Sequence, residues 1–203
     1  MKILELNNGA SECNKTGAVS LFDKVPAVAL RPDSSLLKDG KPFFVPDIMG
    51  RVSGQICLCV RIGRLGKAIP ARFAYRYVDA LTLAACFTAT ACAETLMTCG
   101  RCADVARSMD GATAVGKFLP TTDDCWRNVS LRYEVNGAEG GLHVLNDWID
   151  GLDEMIEALS SVMSLREGDL LLTCGIGDAF EARPNTHISG YVGEHRVLNF
   201  NVK

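Results

Sequence analysis

Arg51-Val-Ser-Gly-Gln-Ile-Cys-Leu-Cys-Val-Arg-Ile-Gly-Arg-Leu-Gly-Lys67 repeats its apolar side chains with a period of two. Ile56, Leu58, Val60 and Ile62 face one way along it, and Gln55, Cys57, Cys59 and Arg61 face the other. That alternation is a strand's, and the β-branched content suits a pleated surface. The Gly63-Arg-Leu-Gly66 step that follows supplies the glycines a sharp reversal needs. Side chains two apart on a strand stand roughly 6 to 7 Å apart on one face, so Gln55 and Cys57 point into one space and can share one ligand.

Upstream, residues 3–6 read as a short apolar strand, and the polar stretch 7–15 has the composition of a loop able to carry a mobile element. Residues 25–30 read as a short buried strand. Asp39-Gly40, between Leu36-Leu37 and Phe43-Phe44, predicts a hairpin, because both central residues of such a turn favour positive φ. Downstream, Pro70 suits the first position of a helix over 71–76, where its missing N–H goes unmissed. Residues 78–87 form an apolar run of strand length, and the Ala- and Leu-rich run 88–97 predicts a helix stopped near Gly100.

The second half has the clearer pattern. Val129, Leu131, Tyr133 and Val135 alternate with polar residues, Asn136-Gly137 turns, and Leu142 and Val144 return, which predicts a hairpin. Asn146 can cap a helix whose Trp148, Leu152, Met155, Ile156, Leu159 and Met163 form one apolar stripe. Asp147 and Asp150 suit its positive end. Gly168-Asp169 turns into a buried strand over 170–173 that stops at Cys174-Gly-Ile-Gly177, and residues 191–202 form a last hairpin through Gly193.

The chain of 203 residues is long enough to bury a core as a single domain spanning 1–203. A formal charge of −3 with Lys and Arg scattered singly offers no basic field, which argues against nucleic acid or an anionic membrane as partner. Glu5 interrupts the start where a signal peptide needs an apolar stretch, and no run approaches bilayer length, so the protein reads as cytoplasmic. Nine scattered cysteines do not resemble a secreted disulfide framework, and reduced thiols are expected. Cys99-Gly-Arg-Cys102 has redox or half-zinc spacing, but no second pair or nearby His completes it, and a helix end with two incidental cysteines is the simpler reading. His143, His187 and His195 fall in hairpin or loop contexts typical of surface histidines.

Four stretches, in order, resemble the fumarylacetoacetate hydrolase family along almost the whole chain. Leu30-Arg-Pro-Asp-Ser-Ser-Leu-Leu-Lys-Asp-Gly-Lys-Pro-Phe-Phe-Val-Pro46 is similar to the family's early hairpin, and residues 50–67 to its central strand. Tyr133-Glu-Val-Asn-Gly137 and Leu165-Arg-Glu-Gly-Asp-Leu-Leu-Leu-Thr173 resemble its late hairpin and the strand leading to a threonine-rich loop. The resemblance, closest to the hydroxyheptadienedioate isomerase and acylpyruvase branch, implies a mixed α/β, β-rich fold: a mixed β-roll with flanking helices, paired as a homodimer. It also implies Mg²⁺ or Mn²⁺ held by a Glu-x-Glu on the central strand and an Asp on the next strand. The metal would chelate a keto acid and stabilise an enolate during C–C hydrolysis, tautomerisation or decarboxylation. A lid with His and Glu, and a lysine with the threonine loop, complete the family's site.

Carried over residue by residue, that site is replaced. Gln55 and Cys57 stand at the Glu pair and Cys86 at the Asp, so three anionic oxygens become an amide and two thiols, a poor cage for a hard cation. Cys13 and Thr16, in a degenerate lid over residues 1–20, replace the His and Glu, which leaves no general base there. Arg107 replaces the lysine and can grip a carboxylate but cannot cycle a proton. Thr173 is kept, while Cys174, Gly175 and Ile176 replace the rest of its loop. The expected protein is therefore a divergent member without metal-dependent catalysis, acting by binding a small keto acid or a partner, its site residues filling a collapsed pocket without a cofactor. Zn²⁺ on the two thiols is the alternative metal. A working hydrolase, isomerase or decarboxylase on acylpyruvate-type acids, resting on Arg107, Asp110 and Thr173, is the alternative function.

Overall fold

The structure, a computed structural model, describes residues 1–6, 28–37, 40–121 and 129–203, without the side chains of 146–151 and 174. The strands are β1 (Ile3–Leu6), β2 (Val28–Arg31), β3 (Leu36–Leu37), β4 (Val52–Ile62), β5 (Val78–Ala89), β6 (Thr113–Val115) and β7 (Leu119–Pro120). They continue as β8 (Ser130–Val135), β9 (Ala138–Val144), β10 (Leu170–Gly175), β11 (Phe180–Glu181), β12 (His187–Val192) and β13 (His195–Asn201). The α-helices are α1 (Thr90–Thr98), between β5 and β6, and α2 (Asn146–Val162), between β9 and β10. The larger sheet runs β2-β1-β10-β4-β5-β6-β3, and a second runs β13-β12-β8-β9. Among the described residues, no helix is long and apolar enough to cross a membrane.

The quoted stretch is the long central strand β4, paired antiparallel with β5 along nearly its whole length and with β10 on its other edge. Its two faces enter different surroundings. Ile56, Leu58, Val60 and Ile62 join the main core together with Leu81, Leu83, Ala85 and Phe87 of β5. The second sheet covers that side with Leu131, Ile188, Val197 and Phe200. Phe87 stacks on Phe43 at 4.1 Å between centroids and meets Phe200 edge-on at 6.0 Å. Burying each such side chain contributes roughly 1.5–3 kcal/mol. Cys57, Cys59, Ala84 and Cys86 lie on the opposite face with Ile3, Leu170 and Leu172.

Helix α2 presents Leu152, Ile156 and Leu159, all buried, in the periodic stripe the sequence predicts, with Met155 and Met163 packed at its margin. Trp148 and the capping group of Asn146 fall outside the described side chains. The helix is pinned at its C-terminal end by Ser160, whose hydroxyl accepts from the Ile69 N–H at 2.8 Å. The Asn136-Gly137 turn has φ of 54° and 79° and joins β8 to β9 as expected. Helix α1 ends before Gly100, whose φ of 65° makes the stop.

Two local expectations are corrected. Leu36-Leu37 and Phe43-Phe44 do not pair as a hairpin: β3 runs parallel to β6, and Phe43 exchanges hydrogen bonds with Asn201 and Lys203. Gly40 does turn, with φ of 65°, but a turn residue dictates a change of direction and not the partner of the strand beyond it. Pro70 sits one residue before its helix, extended at ψ 141°, and the segment Ala71–Tyr77 is 3₁₀.

Candidate functional site

Strand register assembles the site. On the β4–β5 pair Gln55 lies opposite Cys86, Cys57 opposite Ala84 and Cys59 opposite Thr82. Directly paired residues share a face, so Gln55, Cys57 and Cys86 gather as the sequence predicts. Thr113 of β6 stands beyond Cys86, and its hydroxyl lies 3.1 Å from that of Ser35. Gly175 of β10 flanks Cys57 on the other edge, across a register shift after Leu172. Gln55 folds over that glycine so closely that a Cβ there would fall 1.9 Å from its Nε2, which excludes any larger residue without moving Gln55.

Beside the thiols lies a charged cluster of Glu5, Arg31 and Arg107, of which reading the sequence singled out Arg107 alone. Glu5 shares the face of Ile3 on β1, and Arg31 ends β2. Arg31 grips Glu5 through two bonds, Nε to Oε2 at 2.9 Å and Nη2 to Oε1 at 3.1 Å. Its remaining N–H groups go to the Thr88 hydroxyl at 3.3 Å and to the carbonyls of Phe87, Arg107 and Ala112 at 2.9, 3.2 and 3.3 Å. This guanidinium is 3% exposed and fully occupied. Arg107 reaches the same carboxylate through Nη1, 3.3 Å from Glu5 Oε2, while its buried Nε has no hydrogen-bond partner among the described residues. Glu5 stands two residues after Ile3 on β1 and Arg31 lies inside the Leu30-Arg-Pro motif, but only the pairing of β1 with β2 makes them partners.

The other candidates have their own surroundings. The Thr173 hydroxyl accepts from the Leu58 N–H at 3.1 Å and donates to the Leu58 carbonyl at 3.3 Å, repairing the ladder where the β10 register shifts. Cys13, Thr16 and most of the 1–20 segment lie outside the described residues, as does the Cys174 side chain. Cys99 and Cys102 are exposed at the end of α1, with Cys102 Sγ 3.0 Å from Asp104 Oδ2. His187 and His195 lie on the second sheet, away from the thiols.

Two of the thiols, Cys57 and Cys59, are held in their protonated form. A hydrogen bond with Cys86, then burial, pushes the Cys57 thiol well up, and burial does the same to Cys59. Burial works against the charge of Arg31, but Cys86 and Glu5 outweigh it, and the guanidinium stays above its ordinary value. An amide, two thiols and an adjacent buried cation do not suit Mg²⁺ or Mn²⁺, which require anionic oxygens. Among the described residues, no group of three or more His, Cys, Asp or Glu side chains is placed to hold a metal ion. What the cluster offers is charge of the opposite sense: two guanidiniums against one carboxylate.

Residues 6–189 match the Fumarylacetoacetate (FAA) hydrolase C-terminal family. A mitochondrial oxaloacetate tautomerase of Arabidopsis thaliana is 29% identical over 169 residues, covering 82% of this chain and 74% of its own. The mitochondrial oxaloacetate tautomerase of Mus musculus is 27% identical over 88% of this chain and 81% of its own. Among solved structures, a putative isomerase of Escherichia coli superposes with a TM-score of 0.82 at 19% identity, over 100% of this chain and 91% of that one. A fumarylpyruvate hydrolase of Pseudomonas aeruginosa in complex with Mn²⁺ and pyruvate superposes with a TM-score of 0.78 at 18% identity, over 99% of this chain and 88% of that one.

Proposed function

The chain belongs to the fumarylacetoacetate hydrolase family, and from that premise we propose that it has given up metal-dependent C–C bond chemistry and serves by binding a small keto acid. One observation carries this reading: Gln55, Cys57 and Cys86 converge on one face beside the buried cation of Arg31. Without carboxylates at these three positions there is no cage for a divalent ion, and without the ion an enolate of a keto acid lacks its stabilising charge. The decisive measurement is hydrolysis of acylpyruvates and tautomerisation of oxaloacetate, each with and without Mg²⁺ or Mn²⁺. Turnover near the median enzyme rate of about 10 s⁻¹, dependent on either ion, overturns the proposal.

A converse experiment isolates the cause. Gln55→Glu, Cys57→Glu and Cys86→Asp together are expected to create Mg²⁺ affinity, read by calorimetry, without restoring turnover. A missing general base costs on the order of a hundred- to ten-thousandfold, and Cys13 and Thr16 supply none. If the triple variant folds but binds no Mg²⁺, these three side chains do not surround one point.

A second reading, metal-free isomerisation of a keto acid, draws support from Glu5, a carboxylate close enough to raise the Cys57 thiol. Metal-independent tautomerase activity lost in Glu5→Gln would favour it. We also propose pairing with a second copy, supported by Phe44 and Ile48, 63% and 91% exposed on the segment leading into β4. A monomer by light scattering at micromolar concentration would count against it.

A further inference from the structure

We infer that the cleft between the end of β6 and strand β13 is a second ligand site, which takes an amphipathic anion: an alkyl carboxylate of medium length, its chain inside and its carboxylate at Lys41 and Lys117. The inference stands apart from the keto-acid reading and concerns other residues.

The cleft lies where a strand stops early. β3 pairs with β6 only through Leu36 and Leu37, opposite Thr113 and Ala114. Beyond them the chain turns to the second sheet, where the Lys117 N–H donates to the Val197 carbonyl at 2.7 Å. The space beside this crossing is about 680 Å³, within the range of roughly 300–1,000 Å³ typical of small-molecule sites. Leu36, Val115, Phe118, Leu170, Leu198 and Phe200 give it apolar walls. Gln55, Cys57 and Cys86 do not line it, nor do Glu5, Arg31 and Arg107. Arg61, the β4 residue on its wall, lies roughly 20 Å along the strand from Gln55.

Every charged side chain on the wall is a cation: Lys41, Arg61 and Lys117, with no Asp or Glu among the described lining residues. Arg61 is already matched. Its Nε and Nη2 donate to the two Asp79 carboxylate oxygens at 2.8 and 2.9 Å, and its guanidinium lies over the Phe118 ring at 5.0 Å. Lys41 and Lys117 are exposed, and their ammonium groups have no ion pair or hydrogen bond among the described residues. A low-dielectric cleft rimmed by one sign of charge concentrates ions of the other sign. Two unmatched ammonium groups over apolar walls select a ligand divided in the same way, with one anionic end and one apolar body.

The wall disfavours the other common ligand classes. Asn199 is the one neutral polar side chain on it, and its Oδ1 already lies 3.0 Å from His187 Nε2. A sugar or nucleotide would bury hydroxyls and amides without partners. A keto acid of three or four carbons has no apolar body to set against Leu36, Val115 and Leu198. An alkyl chain does, and each methylene it buries raises affinity by up to about fourfold.

The test is calorimetric titration of the whole chain with hexanoate, octanoate and decanoate, below their micelle concentrations and at low ionic strength, beside acetate and 1-octanol. One carboxylate per chain is expected, with affinity rising along the series and no heat from acetate. The double variant Lys41→Glu, Lys117→Glu is expected to weaken octanoate roughly ten- to hundredfold, the range for charge-assisted hydrogen bonds, and to leave 1-octanol unchanged. A merely structural loss would weaken both. Leu36→Trp, at a half-buried wall position, is expected to fill the cleft and reduce octanoate binding with both lysines in place. If Leu36→Trp does not fold, the lysine pair still decides, because both of its side chains are exposed. Binding that is flat along the series, survives the charge reversal, is equalled by 1-octanol or is displaced by saturating pyruvate overturns the inference.

Discussion

The two faces of β4 share one backbone and one set of neighbouring strands, and they obey different rules. On the face of Ile56, Leu58 and Val60 the side chains join one large apolar cluster and are interchangeable in kind. On the face of Gln55, Cys57 and Cys59 the small side chains leave room for a carboxylate and two guanidiniums brought in by β1, β2 and the 3₁₀ segment Asp104–Arg107. The first face is held by area removed from water and tolerates exchange at constant volume. The second is held by matched charge, where removing one partner strands the other.

That contrast fixes an order of effects. Arg31→Met is expected to be the most damaging change, about 3–5 kcal/mol by urea unfolding, because Glu5 is left with Arg107 alone and the carbonyls of Phe87 and Ala112 lose their donor. A loss below about 1 kcal/mol would mean that the pair is no stronger than a surface ion pair. Leu58→Ala on the opposite face should cost about 2–5 kcal/mol through the cavity it leaves. Cys57→Ala, one residue away on the same strand, should cost clearly less, since little more than one buried sulfur is removed. Equal losses from these two would erase the distinction between the faces.

Asp169 tests whether charge at the far end of the same sheet behaves as Glu5 does. Burial raises its carboxyl, but the hydrogen bond from the Lys2 side chain and those from the main-chain N–H groups of Arg166 and Lys2 outweigh this and hold it below the usual carboxylate range. A depressed folded value means that the stabilisation is complete above the ordinary carboxylate range and disappears as pH falls through the folded value. Asp169→Asn should therefore lose on the order of 1–3 kcal/mol at neutral pH and converge with the unaltered chain in strong acid. A difference that did not change with pH would remove charge from the explanation. The smallest expected effect is nil: millimolar Mg²⁺ should leave the melting temperature where it is, since a ligand stabilises only what it binds. A rise of several degrees would contradict the chemistry assigned to Gln55, Cys57 and Cys86.

The apolar face was legible from period alone, and so were the hairpin at Asn136-Gly137 and the stripe of α2, because in each a local repeat coincides with burial. The gathering of Gln55, Cys57 and Cys86 was legible from the family resemblance and the strand period together. Glu5 and Arg31 were not, since their meeting depends on β1 pairing with β2 across the segment between them, and no local pattern encodes which charges become partners. The Leu36–Phe43 turn misled for the same reason: Gly40 bends the chain, but Thr113 and Val202 decide where its two arms go. Thr173 read as a substrate residue because its place in the loop was right. Its hydroxyl bonds the main chain of Leu58 beside a register shift that the sequence does not announce.

The placement of β10 has a consequence for how the molecule is made. It lies between β1 and β4 in the sheet, parallel to one and antiparallel to the other, yet it leaves the ribosome long after both. At about 5–20 residues per second, the nascent chain carries the unpaired edges of β1 and β4 for on the order of ten seconds. Open strand edges recruit other chains, and pairings this distant in sequence are slow to close. Synthesis at high rate should therefore drive this protein into aggregates that a slower, cooler expression avoids, whatever the stability of the finished fold.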